Sequence, residues 1–250
     1  MSEETTPATT IDPLDWEYAP SVESTPVDIP AEQGLWIGGE MVDPASGAGF
    51  DSVNPATEET LGVLAEADEA DVDRAVGAAR KSYDNVWGSM AGKERSKYLF
   101  RLARLLQERA REFAVLETLD GGKPIREARD FDLPMAAAHF FYYAGWADKL
   151  DYAFPGTDPK PLGVAGQVIP WNFPMLMLAW KVAPALAAGN TVVLKPAETT
   201  SLTALEFARL SAEAGLPDGV LNVITGAGAT GAALVTHDDV CLLYTSDAAD

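Results

Sequence analysis

Cysteine is nearly absent, with one in 250 residues, and that excludes a disulfide framework. Long apolar runs are missing too. The longest starts at Phe173 and is interrupted by Lys181 and Pro184, well short of the roughly 20 residues a membrane span needs. Basic residues are absent from the first 73 positions, which hold 18 of the 38 acidic residues and so carry most of the net charge of −20. Such a stretch repels phosphate backbones and anionic bilayers, so neither nucleic acid nor a membrane is expected as a partner. The opening "MSEETTPATT" has no basic region and no apolar core, unlike a secretory signal. Together with the single cysteine, this points to the cytoplasm.

What is present is enough apolar material for a core, 47% of residues. Residues 1–33 have few apolar residues among Thr, Pro, Ser, Glu and Asp, too few to offset the entropy of ordering, and are expected to be a flexible acidic arm. From Leu35 short pieces such as "LWIGG", "FDSVNP" and "TLGVLAEA" alternate with Gly, Pro and Asp, the punctuation of strands and tight turns, so 34–67 reads as a small β region. Residues 70–152 read as a helical layer. Val72, Ala75, Val76, Ala79 and Tyr83 fall at the spacing of one buried helix face. "KERSKYLFRLARLLQERAREFAVLETLDGGKP" reads as a second helix stopped by glycine and proline. "LPMAAAHFFYYAGWADKL" is aromatic nearly all round and is expected to be buried on several sides. His139, inside it, has no partner at ligand spacing and reads as a core histidine rather than a metal ligand.

After Pro161 the pattern alternates strand and helix: "GVAGQVIP", "PMLMLAWKVAPALAAG", "TVVLKP", "SLTALEFARLSAEAG", "GVLNVIT", "GATGAALVTH". Apolar strands interleaved with helices define an α/β fold with a parallel sheet covered on both faces. Ligands of such sheets sit beyond the carboxyl ends of the strands, where Pro170 to Phe173 and Lys195 to Glu198 fall.

In "VIPWNFPML" Asn172 stands between Pro170 and Pro174, which restrict the backbone on both sides. An amide held so is a preorganised donor suited to an oxyanion. It equally suits a cap on the helix beginning at Pro174. Lys195 and Glu198 in "LKPAE" could hold ribose hydroxyls or form an exposed ion pair. Gly226, Gly228 and Gly231 spell G-x-G-x-x-G between a strand and a helix, a weak fingerprint alone, and read mainly as turn residues.

Taken together, "GQVIPWNFPMLMLAWKVAPALAAGNTVVLKPAETTSLTALEFARLSAEAGLPDGVLNVITGAG" resembles the N-terminal half of the NAD(P)-dependent aldehyde dehydrogenase superfamily. "SVNPATEETLGVLAEADEADVDRAVGAAR" and "ETLDGGKPIREA" extend the likeness over Leu35 to Val240. The resemblance implies a partial Rossmann-like domain over 161–240 and a β oligomerisation arm over 34–67, hence a homo-oligomeric parent. It implies that Asn172 donates to the oxyanion formed when a cysteine thiolate attacks an aldehyde. Lys195 and Glu198 would hold the adenosine ribose, Ile169, Pro170 and Trp171 would line the cofactor cleft, and Gly226 would lie near the adenine. A carboxylate at Glu198 disfavours a 2′-phosphate, so NAD is expected rather than NADP.

The family's nucleophile and hydrolytic glutamate have no match, and Cys241 lies too early to be that nucleophile. The chain is thus expected to be an inactive N-terminal fragment of an enzyme that oxidises an aldehyde to an acid. Related members that make an acyl-CoA or acyl phosphate share the same N-terminal logic. A natural truncated protein binding a nucleotide or a partner without catalysis is the other reading. The ending "CLLYTSDAAD" resembles the translation of a transposon-end sequencing adapter, so 241–250 are expected to be extraneous.

Overall fold

The chain was analysed as a computed structural model, which describes residues 25–245. Strands β1 (Glu32–Gln33), β2 (Leu35–Ile37), β3 (Glu40–Val42), β4 (Gly49–Val53) and β5 (Thr60–Ala65) come first. Helices α1 (Glu69–Ser82), α2 (Gly92–Glu108), α3 (Ala110–Gly121), α4 (Ile125–Glu127), α5 (Leu133–Trp146) and α6 (Leu150–Ala153) follow. The remainder alternates: β6 (Val164–Val168), α7 (Pro174–Ala187), β7 (Thr191–Lys195), α8 (Leu202–Glu213), β8 (Leu221–Val223), α9 (Gly228–Val235) and β9 (Leu242–Tyr244).

The α/β expectation holds. Strands β8, β7, β6 and β9 run parallel in that order, with the β2–β3 hairpin added antiparallel at the β8 edge. Strand alternation splits the core in two. Val192 and Leu194 point into a large core with α2, α3, α5, α7 and α8, whereas Val193 joins Val164, Ile224 and Leu234 under α1 and α9. Helix α1 starts on a reciprocal cap, Asp68 accepting from the Asp71 N–H and Asp71 from the Asp68 N–H. That geometry satisfies two N–H groups which a helix start otherwise leaves open. The predicted face of α1 is buried at Val72, Ala75, Val76 and Ala79.

Four expectations need correction. Residues 34–67 do not form one unit: β2 and β3 join the large sheet, while β5 pairs with both β4 and β1 in a separate three-stranded sheet. The arm read to residue 33 is ordered at its end, because Gln33 is buried in β1 and Val27 and Ile29 pack on the core; residues 1–24 lie outside the described residues. The long helix of 92–121 breaks at Arg109 (φ −100°, ψ 13°), whose guanidinium ion-pairs with Glu112 and with Glu206 on α8. No glycine or proline marks that break. Helix α5 is buried along one face only, leaving Met135, Tyr142 and Trp146 exposed, and His139 is half-buried, edge-on to Trp180 at 5.5 Å. Leu242–Tyr244, inside the ending read as extraneous, pair with Ala165–Gln167 as β9. Their apolar pattern is all that a parallel edge strand requires.

Candidate functional site

Strand order turns back at β6: the chain runs β6, β7, β8 in one direction and then crosses to β9 on the other side. The crevice beyond the carboxyl end of such a reversal is where open α/β sheets take ligands. Register places Val168 opposite Lys195 there, and the Ile169 N–H donates to the Lys195 carbonyl at 3.1 Å.

Residues 169–173 form the turn from β6 into α7. Ile169 is buried, whereas Trp171 and Asn172 are exposed, Trp171 at 61%. The helix-cap alternative for Asn172 fails, since the cap position of α7 is Phe173 and carries no side-chain bond. Among the described residues the Asn172 side-chain amide has no hydrogen-bond partner, which leaves it free to donate into the crevice. Trp171, Glu198, Thr199 and Thr200 line a cavity of about 520 Å³ with Ser52, Val53 and Asp120. A smaller cavity of about 120 Å³ adjoins Asn172, bounded by Glu117, Lys123 and Trp171.

Of the two readings of Lys195 and Glu198, the ion pair is the one the structure shows. They form an ion pair at 3.2 Å, with the lysine side chain 6% exposed and the glutamate 50% exposed. The backbone N–H of Glu198 itself, and after it the Lys195 ammonium, hold that carboxyl below the ordinary range. Lys195 points to the α9 face, within 4.0 Å of where a Cβ on Gly231 would lie. Gly226 has φ +150°, and a Cβ there would meet Thr230 Oγ1 at 2.2 Å. The Thr230 hydroxyl cannot move to make room, because it donates to the Ala67 carbonyl at 2.5 Å. The first turn of α9 has no side-chain cap, so its N–H groups stay available. The sequence read Gly226, Gly228 and Gly231 as turn residues; the fold keeps Gly226 in the turn but places Gly228 and Gly231 within α9, where Gly231 comes up to Lys195.

Cys241 sits elsewhere. Its N–H donates to the Val164 carbonyl at 2.9 Å, at the amino end of β6, about 17 Å of strand away from the Asn172 turn. No group of three His, Cys, Asp or Glu able to hold a metal occurs among the described residues. None of the described helices is long and apolar enough to cross a membrane.

Sequence reasoning missed four charges under this turn, three of them buried and the fourth, Lys123, partly buried. Lys181, within apolar α7, donates to the carbonyls of Val168 at 2.5 Å and Tyr244 at 3.4 Å, and burial lowers its pKa to about 8. Glu117 of α3 and Asp132 before α5 are 1% and 0% exposed, with Lys123 ion-paired to Asp132. Burial first, then the Asp132 charge, pushes Glu117 up to about 8. Only Lys181 is a lone charge in an apolar helical stretch, which was the available signal; Glu117, Lys123 and Asp132 stand near other charged residues in the sequence. Because the Glu117 pKa is raised on folding, its contribution to stability is present below about pH 4.3, the unfolded value, and is lost as pH rises toward 8. Asp120, raised to about 6 by burial, acts in the same sense. Stability from urea titrations is therefore expected to fall between pH 5 and pH 8 (order-of-magnitude limits set by those pKa values), and Glu117→Gln should flatten that slope. An unchanged slope would remove Glu117 as its source.

A parallel sheet with an uncapped glycine-led helix and a Lys–Glu pair along its carboxyl edge belongs to the dinucleotide-binding α/β class of protein. The aldehyde dehydrogenase family pattern matches residues 41–245, and the chain belongs to that family. That match runs past Val240, where the likeness was expected to stop. The chain is 51% identical over 216 residues to aldehyde dehydrogenase family 2 member B4, mitochondrial, of Arabidopsis thaliana, covering 82% of this chain and 40% of that protein. It is 47% identical over 215 residues to human retinal dehydrogenase 2, covering 81% of this chain and 41% of that one. Among solved structures, the NAD+ complex of an aldehyde dehydrogenase from Bacillus cereus superposes with a TM-score of 0.81 at 43% identity, over 85% of this chain and 45% of the other. The chain thus spans less than half the length of these relatives.

Proposed function

We propose that the chain is the N-terminal part of a longer enzyme that oxidises an aldehyde to the carboxylic acid with NAD, the reading the sequence suggests. The observation that carries it is the unpartnered Asn172 amide at the reversal of strand order, one strand from the Lys195–Glu198 pair. In this reading the Asn172 N–H donates to the carbonyl oxygen as a cysteine sulfur bonds the carbon and the C=O π electrons move onto oxygen. Cys241 is at the wrong end of the sheet to supply that sulfur.

The residues fit NAD. Glu198, held ionised and half exposed, is an acceptor for a ribose diol, and the buried Lys195 beside it is a donor. Ile169, Pro170 and Trp171 form the adjoining wall, and Gly226 lets the backbone approach closely at the start of α9. Bound NAD would accept hydride from the substrate carbon. A 2′-phosphate on that ribose would be repelled by the Glu198 carboxylate, which supports NAD over NADP. In the product of the whole locus, Glu198→Gln is expected to weaken NAD about tenfold, the size of one charge-assisted hydrogen bond, and to narrow the gap to NADP. Titration of both nucleotides checks this, and an unaltered ratio would remove Glu198 as the selector.

A homo-oligomer and a cytoplasmic setting belong to the same proposal. The first rests on the separate three-stranded sheet with Val53 and Val63 exposed, the second on the single cysteine. The test amplifies the locus with a primer upstream of Val240, reads the frame onward, and assays both its product and the 250-residue chain. Aldehyde-dependent NADH formation is expected from the first and not from the second. No NADH from the first with aliphatic and aromatic aldehydes would overturn the reading.

A further inference from the structure

The Asn172 turn is tied from outside its own domain. Lys123, just past the end of α3, donates to the Asn172 carbonyl at 3.2 Å, and its ammonium lies 3.8 Å from the centroid of the Phe173 ring. The same ammonium ion-pairs with Asp132 and stands 3.9 Å from Glu117. Glu117 in turn accepts from the Met175 N–H at 3.4 Å. One buried cluster therefore grips the turn on both sides of Phe173, leaving the Asn172 side chain itself free.

The local chain is built to deliver Lys123. Helix α3 ends on Gly122 at φ +69°, and a Cβ there would meet Pro55 at 2.7 Å, so only glycine makes the reversal. An ammonium has three donors, here directed at a carboxylate and a backbone carbonyl with a π face beside them. Two buried carboxyls facing one ammonium leave a charge of −1, which burial disfavours. Glu117 Oε1 and Asp132 Oδ1 are both buried acceptors without a donor. A proton held on Glu117 satisfies one and neutralises the cluster, in keeping with the upward shift of that group by burial and by Asp132.

We propose that Lys123 is a positioning residue: braced by Glu117 and Asp132, it fixes the Asn172–Phe173 peptide so that the Asn172 amide meets the reacting oxygen without reorganising. This rests on the oxyanion reading of Asn172. The amide itself contacts the oxygen; Lys123 acts through it.

Lys123→Met keeps the stem and removes the charge, and Lys123→Arg restores it. Hydrogen exchange at Met175 and Met177, in the first turn of α7, is followed alongside exchange at Ala188, at its far end. In Lys123→Met, exchange at the first two is expected to rise about tenfold, as when one charged hydrogen bond is lost, with Ala188 unchanged. In the product of the whole locus, kcat should fall about tenfold, less than the roughly hundredfold of a full 1 Å misplacement. NAD affinity should hold, and Lys123→Arg should recover most of both losses. Unchanged exchange at Met175 and Met177 overturns the proposal. If Lys123→Met does not fold, Asp132→Asn removes the ion pair at constant shape and is judged by the same exchange. Failure of the oxyanion reading is seen separately, as Asn172→Ala with undiminished kcat, and leaves the exchange result standing.

Discussion

Replacing Asn172 by alanine in the product of the whole locus is expected to lower kcat by about 10²–10³, the usual loss for one donor to a developing oxyanion. The size follows from where the amide stands. It projects from a turn fixed by two prolines and by Lys123, beyond the end of β6, with no hydrogen bond of its own to break among the described residues. A donor already in place costs no reorganisation when negative charge appears, so its removal is felt in the transition state more than in the ground state. KM and NAD affinity should therefore change little while kcat falls. Steady-state kinetics with one aldehyde decides it: a raised KM at constant kcat would make Asn172 a substrate-binding group instead. Asn172→Ala should not alter the thermal midpoint of the chain, because the side chain is exposed and caps nothing.

Phe140→Ala is expected to cost about 3–5 kcal/mol of stability, the range for emptying an aromatic site in a close-packed core. Phe140 is fully buried in α5 and stacks on Phe207 of α8 with ring centroids 5.2 Å apart. It thereby joins the helical layer to a helix of the sheet domain. A domain of this kind has only about 5–15 kcal/mol in hand, so the variant should unfold at markedly lower urea than the parent. Measured midpoints check this. A loss under about 1 kcal/mol would mean the two layers close over the gap or are less firmly coupled than this packing implies. Tyr142, two residues on and exposed, is the control and should tolerate the same change.

Much of this was readable in advance where local pattern and fold agree. Strands β6, β7 and β8 and helices α1, α7 and α8 fall where alternating apolar runs and glycine stops put them. The position of Pro170 to Phe173 and Lys195 to Glu198 at the carboxyl edge follows from the same alternation. The break at Arg109 was not readable, since it is held by Glu206, 97 residues away. The one-sided burial of α5 was hidden as well, because aromatic residues all round a helix do not say which face meets a neighbour. Two chemistries at 34–67 looked alike as short strands, and only pairing separated β2–β3 from β4–β5.

The sequence by itself determined the α/β class, the family resemblance, the preorganised Asn172 between its prolines and the Lys195–Glu198 pair. These are properties of residue type and short spacing, which local sterics and hydrogen bonding enforce. Only the tertiary structure decided that Lys123, Glu117 and Asp132 converge beneath Asn172, that Lys181 is buried against the end of β6, and that Cys241 lies at the far end of the sheet. Charges become a site when burial strips their water and sets them a few ångströms apart. That depends on how distant helices pack, which no local pattern encodes.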